Sequence, residues 1–510
     1  VTGRVALLLD SFVVPRWVRS VIEGLGERPA VVVLDRTPPP PAGGALYRLY
    51  RGLDRRLFAA KGDALEPVDA SDLLRDCPVV EVQPVRGRHS DFLLPEDARR
   101  IREHAPDVAL RFGFLPPAGE FLTIAPRGIW SLVVDGWRET LEGRATTEIV
   151  LEARDPEGAR VLFRSHGQTD RRSAHRNLVA CAWKARDAIL RRLRAPGAGE
   201  EPAPPALPPP GSLRAAWLLA THAARYARDK AVHLATAEQW YLAYRFEDAP
   251  RPPTDFAGLV PLVPPADRFW ADPFPFEHEG RYHIFFEELL YKDWKGRIAV
   301  LEIDPVRGPG TPRTVIETDC HLSYPFVFRW QDAIYMIPEM SAARRVALWR
   351  CRSFPDRWEE ERVLLDGVNA VDATLEEIDG RWWMFVNIAG EGADNCDELH
   401  LYHAESPLGP WHPHPGNPVR SDVRAARPAG RLFRWGGELY RPAQNCGPEY
   451  GWSVMLHRVL HLGLDDYREE LVTELRPAWD PRAERMHTMN RWGRLYVTDL
   501  LRRRSRLRRG

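Results

Sequence analysis

The sequence is poor in the features that most quickly assign a chain. Its six cysteines, Cys77, Cys181, Cys320, Cys351, Cys396 and Cys446, lie far apart, and none forms a C-x-x-C pair. That argues against a zinc site or a disulfide framework and fits a reducing compartment. No uninterrupted apolar run reaches about 18 residues, so no transmembrane helix is expected. The first residues, "VTGRVALLLDSF", enter a strand without the charged region, apolar core and cleavage site of a signal peptide. Lys+Arg and Asp+Glu both number 71, a formal net charge of +0, so no global field points to nucleic acid. No G-x-x-x-x-G-K-S loop is present to cradle a phosphate. The acidic loop "EGADNCDE" lacks the spacing of an EF-hand and reads as solvated. From these absences a cytoplasmic protein is expected, at most peripheral to the inner membrane face, with no metal and no tightly held cofactor.

What is present divides the 510 residues in two. Residues 1–194 alternate apolar runs such as "RVALLLD", "AVVVLD", "PDVALRFGF" and "GIWSLVV" with helical spacings such as "PRWVRSVIEGLG" and "RNLVACAWKARDAILRRLR". Short apolar runs separated by amphipathic stretches predict an open α/β sheet. Residues 195–234 hold a Pro-rich linker, "APGAGEEPAPPALPPPG", and one helix. From 235 to 500 the helical period disappears. The basic end, residues 501–510, "LRRRSRLRRG", reads as a disordered solubilising tail, with contact to an anionic membrane surface as its alternative.

The second half repeats itself. Units begin at Ala271 ("ADPFPFEHEGRYHIFFEE"), Ser323 ("SYPFVFRWQDAIYMIPE"), Val371 ("VDATLEEIDGRWWMFVN"), Arg427 ("RPAGRLFRWGGELYRPAQ") and Met486 ("MHTMNRWGRLYVTD"). Each has a small or polar start, a strand, a Gly- or Asp-containing turn and a second strand. Units roughly 50 to 60 residues apart have the length of a four-stranded propeller blade, and five of them predict a five-bladed β-propeller. The innermost strand of every blade starts near the axis, so Asp272, Tyr324, Asp372, Arg427 and His487 should converge there as a ligand site. Trp270, Trp382 and Trp383 are candidates to stack on a sugar, although adjacent strand residues point opposite ways and one of the last two must pack inward.

On these motifs the second half resembles the five-bladed family 43 glycoside hydrolases. "WADPFPF" is similar to their first-blade motif, which implies that Asp272 is a general base. "VDATLEEIDGRWW" is similar to the third-blade motif, which implies that Asp372 tunes an acid. The family's fourth blade opens on Glu-Gly-Pro and supplies the general acid, whereas this chain has Arg427-Pro428-Ala429. Arginine stays protonated and cannot cycle a proton, although it can clamp an anion. Glu339 or Glu287, at the ends of second strands, could substitute as the acid. "HLSYPFVF", "YMIPE", "RPAGRLF" and "LYRPAQNC" together resemble the propeller part of the plant glucosamine inositolphosphorylceramide transferases and its bacterial relatives. That resemblance implies a glycoconjugate role and sugar-hydroxyl contacts for Gln444 and Asn445. The first half resembles the formyltransferase fold, but the matching segment reads "SLVVDGW" and lacks the catalytic Asn and His. Formyl transfer is therefore not expected, and Asp135, His166 and Asp170 read as loop residues.

The reading is a carbohydrate-active protein of glycoconjugate or surface-polysaccharide assembly, favouring glycosyl transfer with a sugar in the propeller funnel. Asp272, Asp372 and Glu339 are the catalytic candidates. Trp270, Glu287, His321, Tyr324, Arg427, Gln444 and His487 are the substrate-binding ones. A nucleotide-sugar donor is the one cofactor-like ligand it admits, and a carbohydrate or glycoconjugate is its partner. Two alternatives stay open: a glycan-binding module without turnover, and a glycoside hydrolase with a relocated acid.

Overall fold

The computed structural model describes residues 3–37, 43–195, 210–249, 251–390 and 392–506. Most of the Pro-rich linker, residues 196–209, lies outside the described residues, as do Glu391 of the acidic loop and residues 507–510 of the basic end. The chain forms two compact units, residues 1–226 with 390–393, and residues 227–389 with 394–510.

The first unit is built on a seven-stranded sheet. Strands Val79–Val82, Val31–Asp35, Val5–Leu9, Val108–Arg111 and Ile129–Val133 lie side by side in that order and all run parallel. Thr146–Asp155 and Gly158–Gln168 extend the sheet as an antiparallel hairpin. The parallel strands are apolar throughout because both faces are covered. Val5, Leu7 and Leu9 pack into one core with the helices Arg16–Gly24 and Ala174–Arg194. Ala6 and Leu8, pointing the other way, pack into a second core with Ile101 and Phe121. The sequence reading located four of these strands but not the hairpin, so His166, expected in a loop, is a strand residue. Asp170 does belong to a loop, where its Oδ1 accepts the Arg172 and Ser173 backbone N–H groups at 2.8 and 3.0 Å.

The second unit is a five-bladed β-propeller. Blade 1 comprises Arg268–His278, Arg281–Leu290 and Lys295–Asp304 with two short outer pieces. Blade 2 comprises Ser323–Trp330, Ala333–Glu339, Arg345–Ser353 and Arg357–Asp366. Blade 3 comprises Asn369–Ile378, Arg381–Ala389 and Glu398–Ala404, again with short outer pieces. Blade 4 comprises Phe433–Trp435, Glu438–Asn445, Ser453–Leu462 and Tyr467–Leu475. Blade 5 takes Met489–Trp492 and Leu495–Ser505 from the end of the chain, and Thr236–Phe246 and Val260–Leu262 from the start of the unit.

Blade 5 closes the ring. Thr236–Phe246 pairs antiparallel with Leu495–Ser505 without interruption, from Thr236↔Ser505 to Phe246↔Leu495. This corrects the expected disordered tail, because residues 501–505 are strand. The arginines that suggested disorder have partners across the pair. Arg502 Nη2 donates to Gln239 Oε1 at 2.8 Å, and Arg503 lies 3.3 Å from Glu238 and 3.2 Å from Glu484.

Candidate functional site

The inner strands of blades 1, 2 and 3 share one local device. Each is interrupted by a bulge, between Ala271 and Phe274, between Ser323 and Phe326, and between Val371 and Thr374. Inside each bulge one residue adopts a left-handed backbone: Asp272 at φ 51°, Tyr324 at φ 43° and Asp372 at φ 56°. Left-handed φ is uncommon for residues other than glycine, and persists where the surroundings over-determine it. The extra residue lets the strand keep its pairing while one side chain turns toward the axis.

Hydrogen bonds around the axis connect all five blades in a circuit. The Tyr324 N–H donates to Asp272 Oδ2 at 3.3 Å, joining blades 2 and 1. The Tyr324 hydroxyl bonds Thr374 Oγ1 of blade 3 and accepts the Gly430 N–H of blade 4, both at 2.8 Å. The Arg431 N–H donates to Asn490 Oδ1 at 2.8 Å, and Asn490 Nδ2 donates to Pro273 O at 2.9 Å, completing the path through blade 5. Tyr324 is fully buried, so its hydroxyl serves as an internal pin with no face left for a ligand.

Two buried charge clusters occupy this ring. In the first, Asp272 Oδ1 lies 3.3 Å from His487 Nε2, and Asp499 Oδ2 lies 2.8 Å from His487 Nδ1. Asp499 also accepts the Asp272, His487 and Thr488 backbone N–H groups at 2.9, 3.1 and 2.9 Å, and the Thr488 hydroxyl at 2.8 Å. Burial opposes charge on the imidazole, but the two aspartates outweigh it and push His487 up to about 9. Burial pushes the Asp272 carboxyl well up; His487 pulls it back, while Asp372, Glu287 and Asp499 push with the burial. Asp272 Oδ1 accepts no well-formed hydrogen bond among the described residues. Ligand atoms of Asp272, His487 and Asp499 lie within 4.8 Å of one another, a spacing a metal ion could use. A protonated His487 has no lone pair to offer it, so a cation would first have to displace that proton.

In the second cluster, Asp372 Oδ2 accepts Arg427 Nε at 2.6 Å and Gln444 Nε2 at 2.8 Å. Burial, opposed by Arg427, holds the Asp372 carboxyl up at about 6. Arg427 also lies 3.5 Å from Glu339 and stands 5.0 Å over the Tyr450 ring. The guanidinium fork is thus occupied by Asp372, and Arg427 sits as its counter-ion with little left to clamp a ligand. Gln444 divides its amide between Asp372 and Pro428 O. Glu339 accepts the hydroxyls of Ser323 and Ser341 at 3.0 and 2.7 Å. With Arg427 Nη2 at 3.5 Å as a third donor, the Glu339 carboxylate is engaged by protein groups on both oxygens.

Of the remaining candidates, His321 is the accessible one. Its Nδ1 accepts the Gly296 N–H at 3.0 Å, which leaves the proton on Nε2, 3.2 Å from Glu287 Oε1. Trp270 donates its indole N–H to Glu288 at 3.1 Å and packs on Phe286, so it is a blade-packing residue. Trp382 and Trp383 enter two different cores, as their opposite directions require. Asn445 donates to Glu474 at 3.4 Å.

Asp499 and Tyr450 were missed in the sequence. A signal for Asp499 existed. Glu287 pairs with Ala271, Glu339 with Ser323 and Asn387 with Val371, so second strands reach the ring with a polar residue. Gln444 faces Arg427 in the same way, and Asp499 continues the series in blade 5. Cys396 and Cys446, distant in sequence, share one buried cluster with Val423.

His487 carries a pH signature. Its folded value is raised from an ordinary 6.5 to about 9. The stability it contributes is therefore complete below pH 6.5 and lost as pH rises through 9. The unfolding free energy from denaturant titrations is expected to fall across that window by an amount on the order of 3 kcal/mol. A flat profile from pH 6.5 to 9.5 would contradict the charged imidazole.

Comparison with known proteins places this site in context. Residues 262–499 match the family model described as Glucosamine inositolphosphorylceramide transferase 1, N-terminal. Glucosamine inositolphosphorylceramide transferase 1 of Oryza sativa subsp. japonica is 37% identical over 205 residues, 39% of this chain and 27% of the relative. The protein of the same name from Arabidopsis thaliana is 33% identical over 205 residues, with the same coverage. The chain thus spans about a quarter of the length of the curated relatives it matches. Among solved structures, RS223 beta-xylosidase aligns at 14% identity and TM-score 0.33, over 46% of this chain and 94% of that one. The GH62 alpha-L-arabinofuranosidase catalytic domain of Coprinopsis cinerea aligns at 13% identity and TM-score 0.36, over 51% and 97%. The resemblance to the plant transferases' propeller therefore holds. The same relatives overturn the expected cytoplasmic placement, since they are named for transfer to inositolphosphorylceramide, a membrane lipid. Sparse cysteines and an unremarkable N-terminus were too weak to fix a compartment. No helix among the described residues is long and apolar enough to cross a membrane.

Proposed function

We propose that this chain takes part in glycosyl transfer during glycoconjugate assembly, and that its propeller binds a sugar of the substrate at the axial ring. The observation that carries the reading is Oδ1 of Asp272, a buried carboxylate oxygen with no well-formed hydrogen bond among the described residues, held by a fixed backbone 3.3 Å from a charged imidazole. Such an oxygen is preorganised to accept a hydroxyl, and a base in that position would take the proton of an attacking acceptor oxygen. His487 stabilises the carboxylate before transfer. Asp372, neutralised by Arg427, would supply a fixed dipole rather than a proton. Accessible His321, with Glu287 behind it, would contact the sugar from the blade 1 side. The donor fitting this chemistry is a nucleotide-activated sugar, and the matched relatives support a hexosamine donor and an inositolphosphorylceramide-type acceptor.

A second reading, sugar binding without turnover, is favoured by the same compensated charges, because Arg427 and Gln444 are both spent on Asp372. Hydrolysis is disfavoured. An inverting hydrolase needs a protonated acid opposite its base, and the position expected to hold it carries Arg427, while Glu339 is engaged by Arg427, Ser323 and Ser341. The test is incubation of the full chain with UDP-N-acetylglucosamine and inositolphosphorylceramide. Release of nucleoside diphosphate, reduced about 100-fold or more in Asp272→Asn, is the expected result. Sugar binding with no turnover would move the conclusion to the second reading. No binding of donor, acceptor or free sugar would overturn both.

A further inference from the structure

The helix Ala45–Phe58 in the first unit buries Tyr47 and Asp54 and turns most of its remaining length outward. Leu49, Leu53 and Leu57 are 60%, 52% and 75% exposed. Their four-residue spacing makes one continuous apolar stripe along the helix. Arg48, Arg51 and Arg55 recur on the neighbouring stripe at three- and four-residue spacing, and Arg56 is exposed with them. None of these four arginines makes an ion pair among the described residues. Arg48 donates to Gly43 O at 2.7 Å, and Arg51 lies 5.8 Å from the Tyr47 ring centre. The helix has one acid, Asp54, and it is turned inward, accepting the Ser173 hydroxyl at 3.2 Å and the His175 N–H at 2.7 Å. The outward face therefore carries leucine and arginine with no negative charge. Nearby, Ser212 lies against Gly44, where an added Cβ would meet Ser212 Oγ at 2.9 Å. The helix starting at Ser212 leaves Leu213 and Trp217 90% and 64% exposed.

We infer that this face docks on the surface of an anionic lipid bilayer, with the leucines at the acyl boundary and the arginines among the headgroups. A stripe of leucine beside a stripe of unpaired arginine, with a tryptophan close by, is the composition of helices that lie in the membrane interface. Nucleic acid would satisfy the arginines and leave the leucines in water. An apolar protein groove would bury the leucines and strand the arginines. Only a surface that is anionic outside and apolar beneath satisfies both stripes. The inference is independent of how the propeller treats a sugar, since it uses no residue of that unit.

The test is sedimentation of the full chain with vesicles of phosphatidylcholine, with and without phosphatidylserine. Binding is expected only to the phosphatidylserine vesicles and is expected to weaken with added salt. Arg51→Gln/Arg55→Gln should weaken it about thirtyfold. Leu49→Ser/Leu53→Ser/Leu57→Ser should weaken it about tenfold or more. All five positions are exposed, and unchanged circular dichroism melts would show that the variants fold. Absence of wild-type binding at low salt would overturn the inference. So would unchanged binding by the leucine variant, or equal retention on heparin resin by wild type and leucine variant without vesicle binding, which would mark a polyanion site instead.

Discussion

Asp499→Ala is expected to destabilise the propeller by about 3–5 kcal/mol, the largest loss from any single truncation in the axial ring. Asp499 is fully buried, accepts three backbone N–H groups and one hydroxyl, and lies 2.8 Å from the His487 imidazole as its ion-pair partner. Removing it strands those donors and leaves a cation in the interior with one carboxylate instead of two. Breaking a buried pair costs this much because the surviving charge keeps its desolvation penalty. The loss should be read as a lower urea midpoint at unchanged slope. It should be accompanied by a fall of the His487 imidazole from about 9, because Asp499 is the largest of the attractions that raise it. Asp499→Asn keeps the shape and part of the acceptor capacity, so it should cost less while still lowering the imidazole. A loss below about 1 kcal/mol in Asp499→Ala would mean the cluster does not hold the ring.

The same residue shows where sequence reading reached its limit. Asp272, Tyr324 and Asp372 were legible because a small residue, a proline or alanine and an aromatic or threonine recur around them, and because the backbone device they share is local. Asp499 stands in "YVTDLL", which reads as an ordinary alternating strand. Its importance comes from partners 227 and 12 residues away, which only ring closure supplies. Closure itself was hidden for a similar reason. Thr236–Phe246 and Leu495–Ser505 each read as a strand or a charged tail, and nothing within either segment records that they pair. The arginine run at 502–504 looked like a solvated end because its partners, Glu238, Gln239 and Glu484, lie on other elements.

Roles proved harder to read than positions. Arg427 lies beside the ring next to blade 4, where its guanidinium chemistry suggested an anion clamp, and the fold instead supplies the anion internally as Asp372. Gln444 and Tyr324 went the same way, each reaching the axis and each satisfied there by protein. A buried polar group is costly unless paired, so most of a ring of inward-facing polar residues must be consumed in holding itself together. The exceptions are the informative atoms, and among the described residues Asp272 Oδ1 is one of them, without a well-formed hydrogen bond beside a fixed cation.

Arg427→Met should cost nearly as much as Asp499→Ala at pH 8, about 3–5 kcal/mol, and far less at pH 5. With Arg427 present, Asp372 already titrates at about 6 because burial outweighs the attraction. Without it, the attraction is gone and the carboxyl must rise further. A carboxyl whose folded value is raised binds its proton more tightly in the folded state, so the variant regains stability as pH falls through that raised value toward the ordinary 3.8. At pH 8 the variant must either bury an anion with only Gln444 to hold it or take up a proton at a cost that grows with pH. The double variant Arg427→Met/Asp372→Asn removes both charges and keeps an amide able to bond Gln444, so it should recover most of the loss and show between pH 5 and 8 only the dependence that His487 contributes. The cycle of four proteins then gives the coupling between the two side chains. If the double variant is as unstable as the sum of the single changes, Asp372 and Arg427 do not act as a pair. The arginine at the head of blade 4 would then have to face a ligand after all.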